Sequence, residues 1–298
     1  MVMQGTGALR VISVLFLAAI FQPSAFAQEL KYLWPHNSRE SIEARVEVPA
    51  GYVRVPVQPG SFQDWLRHLP LKPGRPEVLL YNGKPRWKQD AHFAVIDIDV
   101  PRSDLQQCAD SIIRLAAEYL YSIKDYSSIH FNFTSGHEAR FDKYAQGYRP
   151  VVAGNYVRWL KSAGADDSYQ SLCGYLIWVF RYAGTYSLNK ELAAVANIED
   201  LEIGDVLIKG GFPGHAMIVV DAAQNPRTKK KIFLLAQGYN PAVEMHVVIN
   251  PNDRKLSPWY STEFGNTLET AQYDFRKDQL KRFSALGVRP HGVRPEWH

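Results

Sequence analysis

Apolar positions recur with two different periods along this chain, and the change of period marks out its elements. Leu105, Cys108, Ile112, Leu115, Ala116, Tyr119 and Leu120 are spaced by three and four, one stripe of an amphipathic helix. That stripe predicts a helix running from a cap at Ser103 or Asp104 to Ile123. Leu172, Tyr175, Leu176, Val179, Phe180 and Ala183 predict a second helix over Ser171–Ala183, closed by Gly184. Ser61–His68 reads as a short helix capped by Ser61 and stopped before Leu69-Pro70. Elsewhere short runs rich in β-branched residues predict strands at 77–80, 92–100, 129–134, 205–209, 216–221, 232–237 and 245–249. Pro and Gly punctuate residues 49–76, and Gln28–Arg45 has no period and reads as a surface arm.

One apolar run belongs to none of these. Val11–Phe21 follows a single basic residue, Arg10, and leads into Ala25-Phe26-Ala27. A basic start, a run of this length and a small-x-small end predict a secretory signal cleaved after Ala27. The run is too short to span a membrane, which takes about 20 apolar residues. No other run is long enough, so the expectation is a periplasmic or secreted protein with no membrane span. The expected organisation is a signal peptide over 1–27, one exported globular domain over 28–283, and a disordered tail over 284–298. Within the domain, an N-terminal α/β elaboration of about 28–150 would precede a core of about 151–283.

Composition changes little in this picture. With 298 residues, 46% of them hydrophobic and 21% charged, the chain is neither disordered, fibrous nor a disulfide scaffold. The net charge of +4 falls to +3 without the leader, too small an excess to imply a nucleic-acid partner. Four of the basic residues cluster in Asn225–Lys231, which reads as a solvated hairpin tip. No cofactor motif occurs, and the scattered histidines show no metal-ligand spacing.

Chemistry concentrates in residues 203–221, IGDVLIKGGFPGHAMIVVD. A strand ends in a Gly/Pro turn and a second strand starts at His215, placing an imidazole at a sheet rim. The next strand, Phe233–Gln237, ends in a polar residue. Antiparallel pairing across the Lys-rich hairpin would bring Gln237 to His215, where it could fix the imidazole tautomer.

Helix, GDVLI strand, GHAMIVV strand and a closing polar residue together resemble the core of NlpC-type cell-wall cysteine peptidases. The resemblance implies an α+β fold in which a papain-like helix bearing the nucleophile packs on a small antiparallel barrel. It also implies Cys173 as nucleophile, His215 as base and Gln237 as its orienting partner. Register argues against Cys173: alignment on Gly174, Val179-Phe180 and Gly184 puts Leu172 at the nucleophile position, about 100° of helix away. Capping leaves the choice open. A cap at Ser171 puts Cys173 in the first turn, whereas a cap at Asp167 buries it a turn deeper. Cys108 and Cys173 could also form a disulfide in an oxidising compartment, or both be small buried residues.

Over most of the chain, SFQDWLRHLPLKPG, AVIDIDV, LQQCADSIIRLAAEYLY, FNFTSG, VFRYAGTYSL and GDVLIKGGFPGHA resemble a family of exported bacterial proteins known only as a domain of unknown function. Two functions fit. The first is a non-catalytic papain-like domain that binds a cell-wall fragment, such as a piece of peptidoglycan, or another exported protein. The second is a cysteine hydrolase, a peptidase or amidase acting on cell-wall peptide. Asp97 and Asp99 alternate onto one strand face, either as a cation or acid–base pair or as a plain strand end before Pro101. Trp259 and Tyr260 read as a groove lining or as loop anchors.

Overall fold

A computed structural model describes residues 1, 30–36, 40–284 and 286. The expected leader, apart from Met1, and all but two residues of the expected tail lie outside the described residues. No helix among the described residues is long and apolar enough to cross a membrane.

Nine strands make the main sheet: β1 (Val53–Arg54), β2 (His92–Val95), β3 (Ala193–Ala194), β4 (Val206–Lys209), β5 (His215–Gln224), β6 (Lys231–Gln237), β7 (His246–Val248), β8 (Tyr260–Ser261) and β9 (Leu280–Arg282). Their order is β2-β7-β6-β5-β4-β9-β3, with β1 added to β5 and β8 to β6, and every pairing is antiparallel. The fold is therefore a mixed α+β one built on an antiparallel sheet. The small barrel expected from sequence is corrected to an open sheet. Its end strands β2 and β3 have four and two residues, too few to pair around a closed ring.

Four helices matter for the site: α1 (Phe62–Arg67), α2 (Cys108–Ser122), α3 (Tyr169–Tyr182) and α4 (Thr185–Glu191). The stripe predicted for α3 is the one it buries, with Leu172, Tyr175, Leu176, Val179 and Phe180 all in the core. Helix α2 crosses the face of β5, which is buried along almost its whole length. Trp65, Ile112, Leu172 and Val219 share one apolar core, so the elements before residue 150 pack on the same sheet as those after it.

Strand β5 carries a buried charge. Asp221 is fully buried and receives Arg54 Nε and Arg67 Nε, one on each carboxylate oxygen, both at 2.7 Å. Its Oδ1 also accepts the Ala222 amide at 2.8 Å. Arg54 lies on β1 and Arg67 on α1, so one carboxylate joins the N-terminal segment to the central strand. Replacing Asp221 with Ala would strip the carboxylate from a buried Arg67 and a partly exposed Arg54. The expected loss is about 3–5 kcal/mol of stability, read as a lower urea midpoint with little change in slope.

Candidate active site

The first turn of α2 sets the position of Cys108. The cap is Gln107, whose backbone N–H donates to Asp110 Oδ2 at 3.1 Å. Neither expected cap, Ser103 or Asp104, serves; Asp104 is engaged elsewhere, because its Oδ1 accepts the Ala242 amide at 2.7 Å and Gln107 Nε2 at 3.2 Å. The helix thus begins at Cys108, several residues later than the hydrophobic spacing predicts. A residue counted as mid-stripe becomes the first helical residue, where free backbone N–H groups and the helix dipole favour negative charge. The chain leaving β6 passes this turn closely: a Cβ on Gly238 would displace the Ser111 hydroxyl and crowd Gln107 O.

His215 opens β5 and Gln237 closes β6. Ala236 pairs with Ile218, which puts Gln237 diagonally across from His215 on the same sheet face. His215 Nε2 and Gln237 Oε1 are 2.7 Å apart, and both side chains are buried. Rings of Tyr239, Tyr273 and Phe275 surround the imidazole at centroid distances of 5.2, 5.0 and 6.2 Å. The side chain of Gln237 continues through Nε2 to His246 at 3.1 Å and to Gln272.

A cavity of about 450 Å³ brings these parts together, with Cys108, Asp104, Asp110, His215, Tyr239 and Tyr273 among its lining residues. The exposed Phe212 and the turn glycines 211 and 214 form part of the same wall. Gly214 is required there, since a Cβ would overlap Thr185 Oγ1 and crowd the Lys209 carbonyl.

Burial governs the electrostatics of the cleft. It pushes the Cys108 thiol up to about 11, with Asp110 adding to the rise. Backbone hydrogen bonds from Ala109, Ala216 and Cys108 itself act in the opposite direction. Burial lowers His215 to about 4, against the hydrogen bond it donates to Gln237 Oε1 and helped by the positive charge of Arg86. His246 falls to about 3 for the same first reason. Asp110 is held well above the usual carboxylate range by burial, and its Oδ1 has no hydrogen-bond partner among the described residues.

The other expected site residue lies elsewhere. Cys173 is the fifth residue of α3, after a cap at Ser168 whose hydroxyl accepts the Ser171 amide. It does not line the cavity that holds His215; its thiol is raised by burial and by Glu118. The structure therefore brings His215 and Gln237 together and adds Cys108, with Cys173 on a separate helix. Both cysteines are free thiols. The signal that could have located Cys108 is local: Asp110 stands three residues after Gln107, the spacing of a carboxylate that reaches back to a cap amide.

A larger groove of about 650 Å³ is lined by Lys72, Asp97, Asp99, Arg102 and Glu244, among others. Asp99 is paired there with Arg114 at 2.6 Å, and Lys72 with Glu244. Trp259 and Tyr260 are buried, and the Trp259 indole donates to Glu47 O, which makes them loop anchors. Among the described residues, no group of three or more His, Cys, Asp and Glu side chains is arranged to hold a metal ion.

The depressed imidazoles have a thermodynamic signature. In the unfolded chain both titrate near 6.5, so between pH 6.5 and 4 the unfolded state binds protons that folded His215 and His246 refuse. Their stabilising share is complete above pH 6.5 and is lost as pH falls toward the folded values. Each contributes a slope of up to about 1.4 kcal/mol per pH unit. Replacing His215 with Gln should make the fall in stability between pH 6.5 and 4.5 shallower by up to that amount. Urea unfolding at several pH values measures the slope, and an unchanged slope would contradict a buried neutral His215.

No curated protein and no solved structure matches this chain. A family model does, described as Domain of unknown function (4846), and it covers residues 42–282. That span runs through all nine strands and includes Cys108, His215, Gln237 and the residues around them. Spanning far more than half of the chain, the match shows that this protein belongs to the family Domain of unknown function (4846).

Proposed function

We propose that this protein is a papain-like cysteine hydrolase of peptide or amide bonds, with Cys108 as nucleophile, His215 as base and Gln237 as the residue that orients it. The observation that carries this reading is the shared cleft: a cysteine opening a helix and an imidazole opening a strand line one cavity, with a carboxamide behind the imidazole. This is the residue logic of a thiol–imidazole–amide triad, recognised by roles rather than chain order. The likeness to NlpC-type peptidases supports it, now with the long helix α2 in place of α3. With export through the leader, the substrate class is cell-wall peptide, and the setting periplasmic.

Burial keeps the proton on the thiol and leaves the imidazole neutral. The sulfur attacks a carbonyl carbon while His215 takes the thiol proton. Backbone N–H groups in the first turn of α2 receive the developing oxyanion. The C–N bond breaks, the proton passes to the leaving amine, and a thioester stays on Cys108. Water, deprotonated by His215, then releases the acid and restores the thiol.

A second reading, a cleft that binds wall fragments or another exported protein without cleaving them, is favoured by the same high thiol value. Turnover of purified cell-wall peptide fragments, with acid quenching to trap the acyl-enzyme, separates the two. Cys108→Ala should lower the rate by at least about 1,000-fold, and the trapped acyl group should map to Cys108. Cys173→Ala should stay within a few-fold of the parent. Binding without turnover, or full activity in Cys108→Ala, would refute the hydrolase reading.

A further inference from the structure

His215 is the near end of a buried polar chain that runs on through Gln237, His246, Gln272 and Arg86. At its far end are two groups whose hydrogen-bonding sense is not negotiable. One is the carbonyl of Glu244, an acceptor, which lies 2.9 Å from His246 Nδ1. The other is the Arg86 guanidinium, a donor, which reaches Gln272 Oε1 at 2.9 Å and His246 Nε2 at 3.4 Å.

These two ends determine everything between them. His246 must carry its proton on Nδ1 to donate to Glu244, so its Nε2 is a lone pair. Arg86 takes Gln272 Oε1 as an acceptor. The end of the Gln237 carboxamide that lies 3.1 Å from His246 Nε2 and touches Gln272 Oε1 therefore meets two acceptors, and it has to be the NH2 end. Gln237 then presents its oxygen to His215, 2.7 Å away. An oxygen there requires a proton on His215 Nε2. The remaining nitrogen, Nδ1, is left as the unprotonated one.

We propose that Arg86, Gln272 and His246 are positioning residues that hold Gln237 in one amide orientation and thereby keep His215 as the Nε2–H tautomer, with Nδ1 available as the base of the hydrolase reading above. Gln237 alone cannot do this. A carboxamide can turn over and offer its NH2 end instead, which would draw the proton to Nδ1 and leave Nε2 as the lone pair. The turned amide would then set its oxygen against the His246 lone pair and Gln272 Oε1, two acceptors. Arg86 is nearly fully buried and stacks on the Tyr239 ring at 4.2 Å, so its donor direction is held by packing as well. Its charge also disfavours protonation of both imidazoles.

The test reads the tautomer directly, without substrate. Protein labelled with 15N-histidine is examined at neutral pH by long-range 1H–15N correlation, and the His215 signals are assigned by their loss in His215→Gln. The parent should show a protonated Nε2 and an unprotonated Nδ1. Gln272→Leu removes the acceptor that faces the Gln237 amide, and the Nε2–H to Nδ1–H ratio should fall about 5- to 30-fold. Gln272→Glu keeps an acceptor for both Arg86 and Gln237, and the parental tautomer should return with it. An Nδ1–H tautomer in the parent, or an unchanged ratio in folded Gln272→Leu, overturns the proposal. Should Gln272→Leu not fold, the parent and Gln272→Glu spectra still decide it. In a catalytically active protein, Gln272→Leu should lower kcat more than it raises KM. A parental tautomer in a protein that hydrolyses nothing would defeat the hydrolase reading alone.

Discussion

A single carboxylate oxygen decides how the cleft is built. Asp110 Oδ2 accepts the backbone N–H of Gln107 and so starts α2 at Cys108 instead of a turn earlier. Such a cap contributes about 0.5–2 kcal/mol, modest against a whole fold. Its geometric effect is larger. One residue of shift turns a side chain by about 100°, and a shift of a full turn moves it more than 5 Å along the axis. Because α2 lies across β5, the first turn of the helix and the start of the strand line one cavity, and Cys108 and His215 open into it together. Asp104 is free to leave the capping role because it has a better partner, the Ala242 amide, from the loop that follows β6.

Strand β5 holds two buried polar assemblies at opposite ends, and they are built on different principles. At Asp221 full charges meet in the core, where a carboxylate is tolerable because two guanidinium groups and an amide satisfy it. At His215 the groups on the strand are neutral, and the chain reaches a cation, Arg86, through Gln237 and Gln272. The Asp221 cluster ties distant segments to the sheet. The His215 chain instead fixes orientation: Arg86 only donates, Gln272 Oε1 accepts from Arg86 and from Gln237, and Gln237 is left to accept from His215.

The hairpin carrying His215 and Gln237 was legible in the sequence because its physics is local. Two continuous apolar runs separated by a polar, Lys-rich turn can pair antiparallel in few registers, and both polar ends fall on one edge. The helical stripe of α3 was legible for the same reason. The start of α2 was not. Leu105 sits at helical spacing from Cys108 and Ala109, but the turn that contains it is held open by contacts to residue 242, far along the chain. Arg86 and Gln272 belong to no period at all: 186 positions separate them, and only the finished sheet brings them to Gln237. The barrel inferred from resemblance failed at β3, where two small, exposed alanines make an edge too short to close a ring.

On the proposed hydrolase reading, the electrostatics of the cleft give such a chain of hydrogen bonds a purpose. A thiolate and an imidazolium attract one another and align by charge alone. Here burial raises the thiol and lowers the imidazole, so both stay neutral and that attraction is missing. The first turn of α2 offers some compensation to the sulfur, through its dipole and its free amides, but none to the ring. A neutral imidazole beside a neutral thiol can act as a base only if its lone pair already points into the cleft. Turning the ring or moving its proton during attack would forfeit the advantage of holding the groups together. Orientation therefore has to be imposed from behind, and among the described residues Gln237, with the groups that fix it in turn, is placed to impose the tautomer.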